Sequence, residues 1–271
     1  MTDAPADALA ETDGSGKRTL STLWRVVLLF WTAISLALCI NQQFTLRFFI
    51  DFTMLDTEYF WALIAVLMPL AFLIYPARPG LHTNRVPWYD VLLFLLATSL
   101  SLAMILTARE SAAAGWEYSA VSVAPAWTLW AAIAIWVLVL EALRRAGGTT
   151  LFLIMAVFSV FPLFSGVLPA PLNSPSVPVF DTAAFHVFSR ESILGVPMRA
   201  FAELVIGFLV FGTALQHTGA GAFFIDFAFA LCGRFRGGAA KVAIFSSGLL
   251  GSMSGSVISN VLTTGTMTIP A

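Results

Sequence analysis

Long apolar runs alternate with short polar breaks along most of this chain, and the alternation turns irregular in its last third. Six stretches reach the roughly 17–25 mostly apolar residues that a bilayer-crossing helix needs: about 24–40, 59–75, 88–106, 127–143, 151–168 and 197–215. The second is closed by Pro76. The pattern predicts an all-α polytopic membrane protein with about six transmembrane helices, a short interfacial helix and a re-entrant helical hairpin. Composition agrees: 59% of residues are hydrophobic and 11% charged, against about a quarter charged in a soluble domain.

Rings mark the ends of the apolar runs. Trp24, Tyr59, Trp61, Tyr75, Trp88, Tyr89, Trp127 and Trp130 lie at or near a boundary, where amphipathic rings favour the headgroup level. Trp31 and Trp136 fall inside runs and do not fit such a belt. Basic residues set the orientation. Lys17, Arg18, Arg25, Arg78, Arg85, Arg144, Arg145, Arg234, Arg236 and Lys241 fall on one side, and Arg47, Arg109, Arg190 and Arg199 on the other. The richer side is cytoplasmic by the positive-inside rule, so the N-terminus is expected inside. Residues 1–19 are polar and begin acidic, with Asp3, Asp7, Glu11 and Asp13 ahead of Lys17. That is unlike the basic start of a signal peptide and reads as a disordered cytoplasmic tail. A formal net charge of −1 without a basic arm gives no reason to expect nucleic acid.

Two Arg, two Gly and two Thr in 144–150 suit a short linker between the fourth and fifth runs. Residues 20–146 then form a four-helix part, and 147–271 a second part. Pro169, Pro171, Pro175 and Pro178 make the segment 169–196 an extended external loop rather than a helix. Residues 222–232 are apolar, too short to cross and interrupted by Asp226. They fit a helix lying along the membrane surface, or the entering end of a longer tilted helix.

The most informative stretch is 246–270, where Ser, Thr and Gly recur within an apolar run. Gly251 and Gly255 are a small-xxx-small pair, which lets two helices approach closely. The reversal is expected at 253–256, with Gly255 free to take φ > 0 and Ser256 capping a second arm. The first arm, from about Gly238, is then about 15 residues, or about 22 Å, past mid-membrane without crossing. Such a reversal bares carbonyls at one helix end and N–H groups at the next start, and these need protein, water or a ligand within lipid. Carbonyl, Ser and Thr oxygens suit a small cation such as Na⁺. The N-terminus of the second arm favours an anion. Ser254, Gly255, Ser256, Asn260, Thr263, Thr264 and Thr266 are the candidate substrate- and ion-binding residues. A purely structural hairpin, glued by small residues without ligands, uses the same pattern.

Other polar residues read as structural. Asp90 lies beside Trp88 and Tyr89 at an interface, Glu141 is one turn from Arg144 and Arg145, and Glu203 is four residues after Arg199. Cys39 and Cys232 are isolated, with neither a disulfide framework nor metal spacing. His82, His186 and His217 are scattered, and no His-Glu pair, Cys-His cluster or phosphate loop points to an enzyme. No cofactor or metal is expected beyond Na⁺ at the hairpin.

Four motifs in order, FGTALQHTGAGAFFID (211–226), GRFRGGAAKVA (233–243), GSMSGSVISN (251–260) and TTGTMTIP (263–270), resemble the fused permease of tripartite ATP-independent periplasmic (TRAP) transporters, the TAXI type most of all. The first four apolar runs are similar to the family's small membrane subunit in layout alone. The resemblance implies a Na⁺-driven secondary transporter in a bacterial or archaeal inner membrane. A periplasmic substrate-binding protein delivers an organic acid, and a hairpin-bearing transport domain moves against a scaffold that the four-helix part extends. By position it assigns Ser254, Gly255, Ser256 and Asn260 to the hairpin tip, and Thr263, Thr264 and Thr266 to the second arm. The family's large subunit carries a second, inverted copy with its own hairpin. This chain reaches Ala271 with only the first, so a truncated product or fragment is expected. The alternative role is a non-transporting scaffold or assembly subunit.

Overall fold

The computed structural model describes residues 18, 20–44, 54–78 and 86–253. All regular structure among them is helical, and the protein is a polytopic membrane protein with five helical stretches long and apolar enough to cross a bilayer. The chain forms two compact units that divide between Arg199 and Ala200.

The first unit opens with α1 (Thr22–Phe44), 23 residues whose only buried members are Ser35 and Cys39. A helix apolar almost all round and mostly uncovered by protein is suited to lipid. Its inner edge, Trp24, Val27 and Trp31, packs on Leu70, Leu73 and Phe94. Trp31 therefore sits within its run as packing, with its ring 5.5 Å from that of Phe94.

The next crossing, Asp56–Ile74, is the most protein-covered of the five. It consists of α2 (Asp56–Leu67) and α3 (Leu70–Ile74). Pro69 separates them because it offers no N–H, and Ala71 and Phe72 instead donate to the carbonyls of Met68 and Pro69 at 3.1 Å. Every residue from Thr57 to Val66 is buried. Tyr59 and Trp61, expected in the aromatic belt, are instead core residues at 2% and 1% exposure. A helix enclosed by neighbours has no headgroup-facing side to offer its rings. Trp88 and Trp130, at 77% and 65%, are exposed as a belt requires.

Opposite α2 runs α4 (Trp88–Ala114). Small side chains, Ala97, Ser101, Ala108 and Ser111, line its buried face and let the large ones of α2 approach. It ends where Gly115 turns left-handed at φ 61°, its N–H bonded to the Ser111 carbonyl. A short helix, α5 (Trp116–Val123), follows at once.

The fourth crossing-length stretch, Ala126–Val167, holds 42 residues. As a straight rod it would measure about 63 Å, twice the hydrocarbon core. It contains α6 (Ala126–Phe164), which leaves helical geometry at Gly148, with φ 83° and ψ 169°. Trp136, twelve residues before that glycine, donates its indole N–H to the Ser159 hydroxyl, eleven residues after it. On an unbroken helix those residues would stand about 34 Å apart. The two halves thus fold back on each other, which restores the fourth and fifth runs read from the sequence. Trp136 owes its mid-run place to this contact.

The Pro-rich stretch after α6 is folded onto the helix end. Val177 N–H reaches the Pro162 carbonyl at 2.9 Å, and Asn173 donates to the carbonyls of Leu168 (2.9 Å) and Gly166 (3.2 Å). Against expectation, the segment 169–196 is not extended throughout. It contains α7 (Val179–Phe188), which starts directly after Pro178. Proline at a helix start costs no hydrogen bond, and the apolar face of α7 packs on α5 and α6. A further short helix, α8 (Val196–Ala200), closes the unit.

The second unit begins with one π-helical turn, Phe201–Val205, and continues as α9 (Ile206–His217), α10 (Ala220–Cys232) and α11 (Gly238–Met253). Helices α10 and α11 form a hairpin over a small core of Ala228, Cys232 and Val242. The short apolar segment 222–232 is therefore neither isolated nor part of a longer helix, but one arm of a helical pair.

Candidate functional site

The expected ligand-holding hairpin takes α11 as its first arm. This helix starts at Gly238, where that arm was expected to start, and is described for 16 residues, to Met253. Ser246, 1% exposed, donates to the Ala243 carbonyl at 3.2 Å, and Ser252 to that of Leu249 at 2.8 Å. Both hydroxyls donate within their own helix. Ser254, Gly255, Ser256, Asn260, Thr263, Thr264 and Thr266 lie outside the described residues. The entry to the arm is tight. Gly237 is left-handed at φ 72°, and a Cβ on Gly238 would stand 2.4 Å from the Gly233 carbonyl oxygen. Next to this turn, the Lys241 ammonium lies 5.4 Å from the Phe235 ring centre.

Polar chemistry in the first unit gathers at two opposite ends of the α2–α4 pair. At the end formed by the last turn of α3 and the first of α4, Asp90 is fully buried and accepts from two arginines. Arg18 Nη2 reaches its Oδ2 at 2.8 Å, and Arg145 Nη1 its Oδ1 at 2.7 Å. Arg145 Nε also donates to Glu141 at 2.7 Å, and Arg144 grips the same carboxylate through Nε and Nη2, both at 2.7 Å. The Ala77 carbonyl takes a further bond from Arg144 at 3.0 Å. Arg18 is tied by its backbone as well, N–H to the Ile74 carbonyl at 2.9 Å. Glu141 is thus paired with Arg144 and Arg145 as the sequence suggested. Asp90 is structural, as expected, and forms the centre of an ion-pair cluster. Its partners are 72 and 55 residues away in sequence, and no local spacing reveals them. Buried charges persist only when paired and hydrogen-bonded, so this cluster is a clamp and not a relay.

At the other end, Glu58 caps its own helix by accepting from the Leu55 N–H at 2.9 Å. It also takes Arg109 in a two-pronged bond, the Nη2–Oε2 arm being 3.3 Å. One turn away the satisfaction stops. Thr57 is 6% exposed and Trp116 0%, yet Thr57 Oγ1 and Trp116 Nε1 have no hydrogen-bond partner among the described residues. Two small cavities adjoin Thr57. One, of about 120 Å³, is lined by residues including Asp56, Thr57, Arg190 and Arg199. The other, of about 280 Å³, is lined by residues including Thr57, Gly115, Glu117, Phe188 and Arg190. Nearby acids also leave a mark on Tyr118 in α5. The charges of Glu191 and then Glu117 lift its phenol above the ordinary value.

His186 on α7 makes a third polar cluster. Its Nε2 stands 2.9 Å from the Ser159 carbonyl and its Nδ1 3.1 Å from Ser192 Oγ. A carbonyl only accepts, so Nε2 carries the proton and Nδ1, when the ring is neutral, accepts from the Ser192 hydroxyl. The ring lies 5.1 Å from that of Trp136. The cluster pins the end of α7 to both halves of α6. It contains no carboxylate to make it a catalytic triad. Among the described residues, no group of three or more His, Cys, Asp or Glu is placed to hold a metal.

The model of one family, described as "Tripartite ATP-independent periplasmic transporter, DctM component", matches residues 134–271, just over half of the chain. The match starts inside the first half of α6 and includes all of α11 and the predicted hairpin. No curated protein and no solved structure gives a significant match.

Proposed function

The chain belongs to the DctM family of tripartite ATP-independent periplasmic transporters, and on that premise we propose that it is the membrane permease component of a Na⁺-coupled system for organic acids, of the TAXI type. A periplasmic substrate-binding protein hands over the substrate. Ser254, Gly255, Ser256 and Asn260 form the hairpin tip that meets the ion and the carboxylate, and Thr263, Thr264 and Thr266 support it from the second arm. The protein works in the cell inner membrane with its N-terminus cytoplasmic, and the four-helix part, fused ahead of the family's large subunit, serves as scaffold.

One observation carries this reading. The family match covers the stretch where a 16-residue apolar helix, α11, leads into a run of Ser, Gly and Thr. An arm of the length expected from the sequence, about 15 residues or about 22 Å, delivers the following backbone into the membrane without crossing it, where bare peptide dipoles are costly unless a ligand or polar partner meets them. The ion-pair clamp in the first unit supports the scaffold assignment, because it fixes helix ends through charges that pair with one another.

The test is uptake into proteoliposomes by the chain together with whatever partner chains complete the transporter, using the cognate binding protein and an imposed Na⁺ gradient. Ser256→Ala and Asn260→Ala should each reduce Na⁺-driven uptake about tenfold or more. Uptake unchanged in both variants would assign the hairpin a structural role and leave the scaffold reading standing.

A further inference from the structure

The Glu58 end of the first unit holds polar groups that neither the clamp nor the hairpin uses. A buried hydroxyl or indole N–H without a partner costs about 1–3 kcal/mol, and folded proteins leave few of them. Two occur here together. Thr57 Oγ1 belongs to a side chain that lines both cavities, and Trp116 stands between Gly115 and Glu117, which line the larger one. The ring of Trp116 meets that of Phe188, another lining residue, edge-on at 5.4 Å. Arg190 lines both cavities as well and brings a guanidinium to the same place. Thr57 is also the second residue of α2, where free backbone N–H groups and the helix dipole favour negative charge.

We propose that the two neighbouring cavities that share Thr57 and Arg190 bind a small monovalent oxyanion of formate or acetate size. Volumes of about 120 and 280 Å³ far exceed the roughly 10–15 Å³ that a single water requires. The unpartnered Thr57 hydroxyl is one donor and Arg190 the other, and the planar fork of Arg190 matches two oxygens on one centre. A single negative charge is specified by the walls. Asp56 and Glu117 also line the cavities, and their carboxylates would repel a dianion such as hydrogen phosphate. The site lies in the first unit, is built on α2, α5 and the turn after α7, and shares no residue with the hairpin. It does not depend on the transport reading.

The full chain in lipid nanodiscs would be titrated with sodium formate and sodium acetate at fixed ionic strength, followed by saturation-transfer NMR of the anion. Saturable binding is expected, stronger than competition by chloride and absent for hydrogen phosphate at a pH where it is doubly charged. Thr57→Val keeps the shape of the side chain and removes its hydroxyl. Arg190→Gln changes an exposed residue and leaves folding intact. Each should weaken binding about tenfold, and Ser256→Ala should leave it unchanged. A lack of saturable binding would overturn the proposal, and so would equal affinity for hydrogen phosphate. Affinity unchanged in Arg190→Gln would do the same, and that variant decides the matter if Thr57→Val does not fold.

Discussion

The two ends of the α2–α4 pair solve the problem of buried polarity in opposite ways. At the Asp90 end three arginines and two carboxylates close on each other, and backbone carbonyls of the 73–77 segment take leftover donors. At the Glu58 end the ion pair has one half-open partner, since the Arg109 side chain is 56% exposed, and a hydroxyl and an indole next to it stay unmatched. The first end closes on itself except at Arg18 Nε, which has no partner among the described residues. The second leaves a hydroxyl and an indole unmatched, and cavities adjoin the hydroxyl. The clamp's carboxylates are all paired, whereas the neutral donors at the Glu58 end are not. An ion pair in a membrane helix is therefore no sign of transport chemistry by itself.

The sharpest way to break the contrast is Asp90→Asn. It leaves Arg18 without its carboxylate and Arg145 with Glu141 alone, on side chains 1% and 2% exposed, and should cost about 3–5 kcal/mol. Thermal unfolding of the nanodisc-held chain would read it as a large fall in midpoint, and an unchanged midpoint would mean the clamp is not what holds that end. Next comes Gly148→Ala. A side chain at φ 83°, ψ 169° occupies a region that glycine alone adopts easily, so a loss of about 1–3 kcal/mol is expected, measured in the same way. Glu58→Gln should lose only about 1 kcal/mol, because its partner is half in solvent and the pair is screened. Raising salt should shrink that difference and leave the Asp90 effect nearly intact. The smallest change concerns Tyr118. Repulsion from Glu191 disfavours its phenolate, so Glu191→Gln should lower the phenol's titration toward the ordinary value. Ultraviolet difference titration against a Tyr118→Phe blank would show it.

The crossing helices were legible in the sequence because lipid demands long apolar runs, and length is a local property. Even the fold-back was visible at the Gly147–Gly148 pair, since only glycine combines a helix break with so short a reversal. Arg18 was hidden because it ends a polar stretch that looks like a tail, and its partner Asp90 is brought near only by the packing of α3 and α4. Tyr59 and Trp61 misled for a related reason. Position along a helix tells depth in the bilayer but not which neighbours enclose the ring. Helix α7 was obscured by prolines, although Pro178 directly before an apolar pattern is itself a helix-start signal. Of the candidate hairpin, the start of the first arm was legible from its glycine, and its far end lies outside the described residues. Thr57 carried no signal at all, because one threonine in an apolar helix is ordinary until its hydroxyl is found unmatched.

The doubling back at Gly148 bears on how the protein is made. With two residues in the bend, the flanking rods have almost no slack, and the Trp136 indole finds its hydroxyl only after the second rod is in place. They must therefore enter lipid as a couple during synthesis, and a tag or reporter spliced into the elbow would prise that couple apart. Tolerant insertion points have to be sought elsewhere on the surface.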